Sequence, residues 1–213
     1  FKGLAPWLSR LPGGLIHVNV VGCALFAAIS GSSAATVATV GKMSIPELRK
    51  RNYPEKLLLG SLAGSGTLGL LIPPSIILII YGVTVQESIA KLFIAGIIPG
   101  IMIAIFFMFY VIGWSILNKD IMPQTKETFS FLQKIKDSGQ LIPVIVLITA
   151  VIGSIYVGIA TATEAASLGV VGALILSFFQ KSLNKETFKL SLLGATKTSC
   201  MIAFILAGSS FLS

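Results

Sequence analysis

The chain has 213 residues, 54% of them hydrophobic and only 11% charged, with a mean hydropathy of +0.92 and a formal net charge of +8. This composition excludes a soluble globule. The excess of 16 Lys and Arg over 8 Asp and Glu does not indicate nucleic acid, because the basic residues fall almost wholly between apolar runs, where membrane topology accounts for them.

From the N terminus, residues 1–14 read as an interfacial segment with Lys2, Trp7 and Arg10, followed by an apolar stretch from Leu11 to Gly41 long enough to span a bilayer once. Its middle, AAISGSSAATVATVG, places Ser30, Gly31, Ser32 and Ser33 in a row. Poor helix residues in succession predict a turn, so residues 15–41 are expected to form a re-entrant helical hairpin. Asn19, alone in the first limb, either bridges this tip to the break described next or bonds a neighbouring helix. His17 is the sole histidine and has no carboxylate partner, which marks it as a packing residue.

Residues 42–56 form a basic connector in which SIPELRKRNYPEK predicts a short surface helix. Ser44 and Glu47 have capping-box spacing, Pro46 suits a first turn and Pro54 would end it. The next span, 57–83, is interrupted by GSGTLGLLIPPS. Pro73 and Pro74 have no amide hydrogen, so the carbonyls about one turn earlier, near Gly69 and Leu70, lose their helical donors. In lipid such carbonyls must face protein, water or an ion. Taken alone, the segment is as compatible with a proline kink satisfied by neighbouring helices as with an ion site. A second breakpoint at 30–33 favours the site. Two successive breaks offer hydroxyls, carbonyls and amides together, and such neutral oxygens suit sodium without the cost of a buried carboxylate.

Further spans are expected at 89–117, 141–158, 163–180 and 192–213, with a loop at 118–140. Glu164, in GIATATEAASLG, is the only acidic residue flanked by apolar runs on both sides. It is either an ion or proton ligand or, with Thr161 or Thr163, the cap of a helix whose first turn it occupies. Cys23 and Cys200 lie in apolar stretches without metal-ligand spacing and read as small buried hydrophobes. No acidic pair in a span, His–Asp or Cys–His arrangement or phosphate-cradling loop is present, so neither an enzyme nor a cofactor is expected.

Charge orders these elements across the membrane. The connector at 42–56 carries a net +3, the 118–140 loop +1 and the 181–191 loop +2, whereas 84–91 is neutral and the turn at 158–163 has no basic residue. The three basic loops are therefore expected on the cytoplasmic side. A hairpin keeps Lys2, Arg10 and the connector on that side together, where a single crossing would not. Phe1, Trp7, Tyr110 and Trp114 fall near the expected interfaces. Because the chain opens on Phe1 without a signal-peptide pattern and stops at Ser213 inside an apolar segment, it reads as a piece of a longer membrane protein.

LPGGLIHVNVVGCALFAAISGSSAATVATVG, AGSGTLGLLIPPSIILIIYGV, LFIAGIIPG and TATEAASLGVVGAL, in this order, resemble the large membrane subunit of tripartite ATP-independent periplasmic (TRAP) transporters over nearly the whole chain. EAASLG alone is also similar to the cytoplasmic EAA loop of ABC permeases, but charge places Glu164 on the opposite side. The resemblance implies an all-α polytopic fold of inverted repeats, each with a hairpin and a discontinuous helix, moving elevator-fashion in the bacterial inner membrane. The last three spans would begin the second half, whose hairpin and Pro-Pro break lie beyond this chain. It implies a sodium-driven importer of an organic acid, such as a C4-dicarboxylate or sialic acid. Its partners would be a small membrane subunit and a soluble periplasmic binding protein. Sodium ions would couple transport, held by Ser30, Ser32, Ser33, Ser65, Gly66, Thr67 and Gly69; Ser32, Ser33, Thr67, Pro73 and Pro74 would border the substrate. Asn19 and Glu164 would serve structure or coupling.

Overall fold

A computed structural model of the chain describes residues 3–123, 139 and 141–212; Phe1 and most of the expected 118–140 loop lie outside them. The described residues are mainly helical, with no strand among them. After a short α1 (Ala5–Leu8) and a 3-10 turn at Gly14–Ile16 come α2 (His17–Ser30), α3 (Ser33–Lys50) and α4 (Glu55–Gly66). A second 3-10 turn at Thr67–Leu70 and an irregular stretch lead into α5 (Ile76–Val85), followed by α6 (Ile89–Leu117), α7 (Ile142–Tyr156), α8 (Ala162–Phe179) and α9 (Lys185–Leu212). The chain is thus an all-α membrane protein. By length and composition, Ile89–Leu117, Ala162–Phe179 and Lys185–Gly208 can each cross a bilayer.

Helices α2 and α3 form an antiparallel hairpin because Gly31 stops the first and Ser32 starts the second. Gly31 adopts φ 58°, ψ 12°, and its amide donates to the Ala27 carbonyl, a left-handed C-cap that only glycine enters without penalty. Ser32 is extended (φ −132°) and its hydroxyl accepts from the Ala35 amide, an N-cap.

The connector departs from its expected form. Rather than a separate surface helix capped by Ser44, α3 runs unbroken from the tip to Lys50 with Pro46 in its interior and Ser44 buried. Propagating an existing helix through VATVGKMS adds one hydrogen bond per residue, whereas a new helix would need a costly nucleus. Glu47, free of any capping role, pairs instead with Arg51 one turn on at 2.9 Å. The last helix also starts earlier than residue 192. The Asn184 side-chain oxygen accepts from the Thr187 amide at 2.7 Å, and that N-cap draws most of the 181–191 loop into α9.

The base of the hairpin is the best-buried part of the molecule. Leu15, Ile16, Leu48, Leu57, Leu58 and Val111 meet there, and the Tyr53 hydroxyl accepts the Leu15 amide at 3.0 Å. His17 is fully buried beside it and donates Nε2–H to the Pro12 carbonyl at 2.8 Å, a packing role. Along α6 the side toward the bundle is small: a methyl on Gly96 would sit 2.7 Å from the Leu71 carbonyl oxygen, and one on Gly100 2.9 Å from Ile72. Its other side exposes Ile98, Phe106 and Phe109. Small residues inward and large ones outward are how helices associate in lipid, where close packing rather than hydrophobicity holds them together. Beyond α6, Ile155 of α7 and Ala165 of α8 pack against Phe93.

Candidate functional site

The span expected at 57–83 is discontinuous in the structure, and its break docks on the hairpin tip. Three features join them. The Ile76 amide, at the start of α5, donates to the Gly31 carbonyl at 3.1 Å. A methyl on Gly31 would lie 2.6 Å from the Pro74 carbonyl oxygen. A methyl on Gly69 would lie 2.8 Å from both the Ser32 carbonyl carbon and the Ser33 amide nitrogen. Two backbones thus touch with no room for a Cβ, which is why glycine stands at both places.

Four helix ends meet at this joint: the C-terminal end of α2, the 3-10 turn that continues α4, and the N-terminal ends of α3 and α5. Carbonyl ends attract a cation and amide ends attract a carboxylate, so one small volume offers both polarities without a formal charge. Among the described residues no group of three or more His, Cys, Asp or Glu could hold a metal ion, so any ion at the joint would depend on neutral oxygens.

The tip is wired internally. The Ser32 amide donates to Ser30 Oγ at 3.4 Å, Ser30 Oγ lies 2.9 Å from Thr36 Oγ1, and Thr36 Oγ1 donates to the Ser32 carbonyl at 2.7 Å. The Ser32 carbonyl also accepts the Thr36 amide at 3.0 Å, which uses both its lone pairs. At the break, the Leu70 carbonyl, deprived of its helical donor, accepts the Ser75 hydroxyl at 2.7 Å. Thr36 and Ser75 are both fully buried. Neither belongs to the residues picked out from sequence; Thr36 lies one turn after Ser32 and Ser75 directly follows the proline pair, spacings that could have flagged them.

Of the expected site residues, the structure brings Ser30, Ser32, Ser33, Gly66, Gly69, Pro73 and Pro74 to the joint. Gly66 packs on Val37 of α3 close to the Ser33 carbonyl. Ser65 turns toward the middle of the hairpin: its hydroxyl donates to the Ser61 carbonyl at 2.5 Å and approaches the Asn19 carbonyl at 3.4 Å. Thr67 is exposed and donates to the Gly64 carbonyl at 2.7 Å. Residues two apart on a helix point to nearly opposite faces, so Ser65 and Thr67 cannot both address the hairpin. Pro74 also borders an apolar groove of about 350 Å³ lined by Ala28, Ile29, Leu147, Val151 and Gly169, which carries no group for a carboxylate.

Asn19 joins helices rather than breaks. Its Nδ2 donates to the Leu58 carbonyl at 3.2 Å and to Ser61 Oγ at 3.0 Å, tying α2 to the first half of α4. Glu164 is the N3 residue of a complete capping box: its carboxylate accepts the Thr161 amide at 2.8 Å while Thr161 Oγ1 accepts the Glu164 amide at 3.3 Å. Cys23 is buried and Cys200 exposed, and both are free thiols, which departs from the expectation for Cys200 because little in the described residues packs on α9.

The family described as "Tripartite ATP-independent periplasmic transporter, DctM component" matches residues 4–213. The C4-dicarboxylate TRAP transporter large permease protein of Pseudomonas aeruginosa is 33% identical over 205 residues, 95% of this chain and 47% of its own length. The isethionate TRAP transporter permease protein DctMQ of Oleidesulfovibrio alaskensis is 35% identical over 94% of this chain and 31% of its own. The sialic acid TRAP transporter permease protein of Haemophilus influenzae is 33% identical over 96% and 33%. The chain spans about half the length, or less, of the curated relatives it matches.

Proposed function

The chain belongs to the DctM-component family of tripartite ATP-independent periplasmic transporters, and we propose that its hairpin tip and broken helix form one half of the ion and substrate site of a sodium-driven organic-acid importer. The observation that carries this reading is the docking of the two breaks, with Ile76 bonded to Gly31 and Gly69 set against Ser32 and Ser33. A hairpin turn and a proline kink that were unrelated would have no reason to share a backbone hydrogen bond. Sodium is drawn to the carbonyl ends of α2 and α4 and to the serine oxygens, and a substrate carboxylate to the amide ends of α3 and α5. Thr67, exposed at the start of the turn that carries Gly69, would contribute its hydroxyl from the open side.

The remaining parts follow from the relatives' names and the length of chain they add. Those names are of permeases, and they specify C4-dicarboxylate, isethionate and sialic acid. The full protein would carry the complementary half-site and work as a multi-pass inner-membrane subunit. Its partners would be a small membrane subunit, separate or fused, and a periplasmic binding protein. Elevator movement would carry the joint as a unit, since the hairpin and the break are fastened to each other.

The test is uptake of radiolabelled succinate, isethionate and N-acetylneuraminate by proteoliposomes holding the full-length protein with its partners. Uptake of at least one is expected to require an inward sodium gradient and the binding protein, and Ser32→Ala and Thr67→Val should each lower it while leaving membrane insertion intact. Absence of sodium-dependent flux in any assembly would leave a non-transporting scaffold or a channel segment. Wild-type sodium dependence in both variants would remove the assigned site.

A further inference from the structure

We propose that Thr36 and Ser75, two buried hydroxyls outside the ion-binding residues proposed above, are the positioning residues of the joint: each ties up a backbone carbonyl so that the tip and the break hold the geometry an ion requires. The inference rests on the reading of the joint as a sodium site.

Thr36 closes a ring of hydrogen bonds that begins and ends on the backbone of one residue. It runs from the Ser32 amide to Ser30 Oγ, on to Thr36 Oγ1 and back to the Ser32 carbonyl. Ser30 Oγ itself also lies 3.3 Å from the Ser32 carbonyl, so two hydroxyls converge on that oxygen, and such networks strengthen cooperatively in a low-dielectric interior. With the Thr36 amide also on the Ser32 carbonyl, that oxygen has no lone pair left for an ion. The tip is therefore held so that the Ser32 side-chain oxygen, which makes only a 3.4 Å contact with the Ala35 amide, is the group it can offer.

Ser75 performs the matching task across the joint. It occupies the N-cap position of α5, yet its side chain makes no bond to that helix. A serine there ordinarily caps its own helix. Here the hydroxyl reaches back to the Leu70 carbonyl at 2.7 Å, closing the loop made by the prolines. The Ile76 amide, next in sequence, is thereby held toward the Gly31 carbonyl. Two hydroxyls, one on each partner, thus brace the two sides of the backbone bond that fastens hairpin to break.

The experiment is a thermal-melting titration of the purified full-length protein with sodium chloride, choline chloride holding ionic strength constant, which reads sodium affinity without knowledge of the organic acid. Thr36→Val, nearly isosteric, should raise the half-saturating sodium concentration by about tenfold, the scale of one lost buried hydrogen bond. Thr36→Ser, which keeps the hydroxyl, should stay near wild type. Ser75→Ala should shift the midpoint as Thr36→Val does, and it carries the test if the valine variant does not accumulate. Hydrogen exchange over residues 75–80 without sodium should quicken in both hydroxyl-deleted variants. A wild-type sodium midpoint in Ser75→Ala or Thr36→Val, or a serine variant as impaired as the valine, would overturn the proposal. A wild-type protein that sodium does not stabilise would instead remove the sodium site itself, and the exchange measurement would then decide the positioning role on its own: unchanged exchange in both variants overturns it.

Discussion

The Gly31 carbonyl accepts the Ile76 amide at 3.1 Å, so the turn of the hairpin and the restart of the broken helix share one backbone hydrogen bond. Each residue supplies a group that its own helix cannot use. Gly31 ends α2 in the left-handed conformation and Ile76 begins α5, so both lie where helical bonding runs out.

Contact this close leaves no room at Gly69. Gly69→Ala places a methyl 2.8 Å from the backbone of Ser32 and Ser33, which no rotamer change can relieve. We expect a loss of about 1–3 kcal/mol, the scale of overpacking, together with weaker sodium-dependent stabilisation. Gly60→Ala, in α4 with nothing within 4 Å of the added methyl, is the control and should be neutral or stabilising. Melting midpoints at one fixed scan rate, since unfolding from detergent is operational, make the comparison.

Asn19→Leu separates stability from ion binding. It removes two hydrogen bonds that tie α2 to α4, worth about 0.5–1.5 kcal/mol each, while the Leu58 carbonyl and Ser61 hydroxyl keep each other as partners. Because Asn19 lies away from the tip, the variant should melt earlier with an unchanged half-saturating sodium concentration. A shifted sodium midpoint would restore Asn19 to the site.

The capping box on α8 predicts an order of severity. Thr161→Ala deletes the hydroxyl that accepts the Glu164 amide and should cost about 1 kcal/mol. Glu164→Gln keeps an oxygen for the Thr161 amide, so it should be the milder change and leave transport in place. Loss of uptake in the glutamine variant with normal melting would identify Glu164 as a coupling group instead.

The connector carries a pH signature. Glu55 pairs with Arg49, and this hydrogen bond, with its charge attraction, holds the Glu55 carboxyl below its ordinary value. A depressed carboxyl contributes stability above its unfolded value and loses it as pH falls through the folded one. The melting difference between wild type and Glu55→Gln should therefore be steady near neutrality and vanish under acid. It should also shrink in high salt, because both side chains are half exposed. A difference that persists unchanged to pH 3 would count against the pair.

How far the site could be read in advance differs residue by residue. Ser30, Ser32 and Ser33 were legible as a tip because small polar residues interrupt an apolar run, and Pro73 and Pro74 as a break because proline cannot donate. Thr36 was not legible: a threonine inside a helical pattern looks like any other until its hydroxyl is seen on the Ser32 carbonyl. Ser75 was hidden for the opposite reason, since its position suggests an ordinary cap and its hydroxyl points the other way. The connector misled because capping-box spacing at Ser44 and Glu47 is a local signal, and the continuing helix from Ser33 overrode it.

By itself the sequence determined that the chain is an all-helical membrane protein, where its apolar runs lie and which two of them are broken. Those properties follow from composition and from backbone chemistry that proline, glycine and serine carry wherever they stand. The tertiary structure decided which break faces which, that Ser65 and Thr67 part company, that Asn19 joins helices and that the freed Leu70 carbonyl is taken by Ser75. Those outcomes depend on the angular position of each residue around its helix and on how closely two backbones approach, and both are set only when the helices pack.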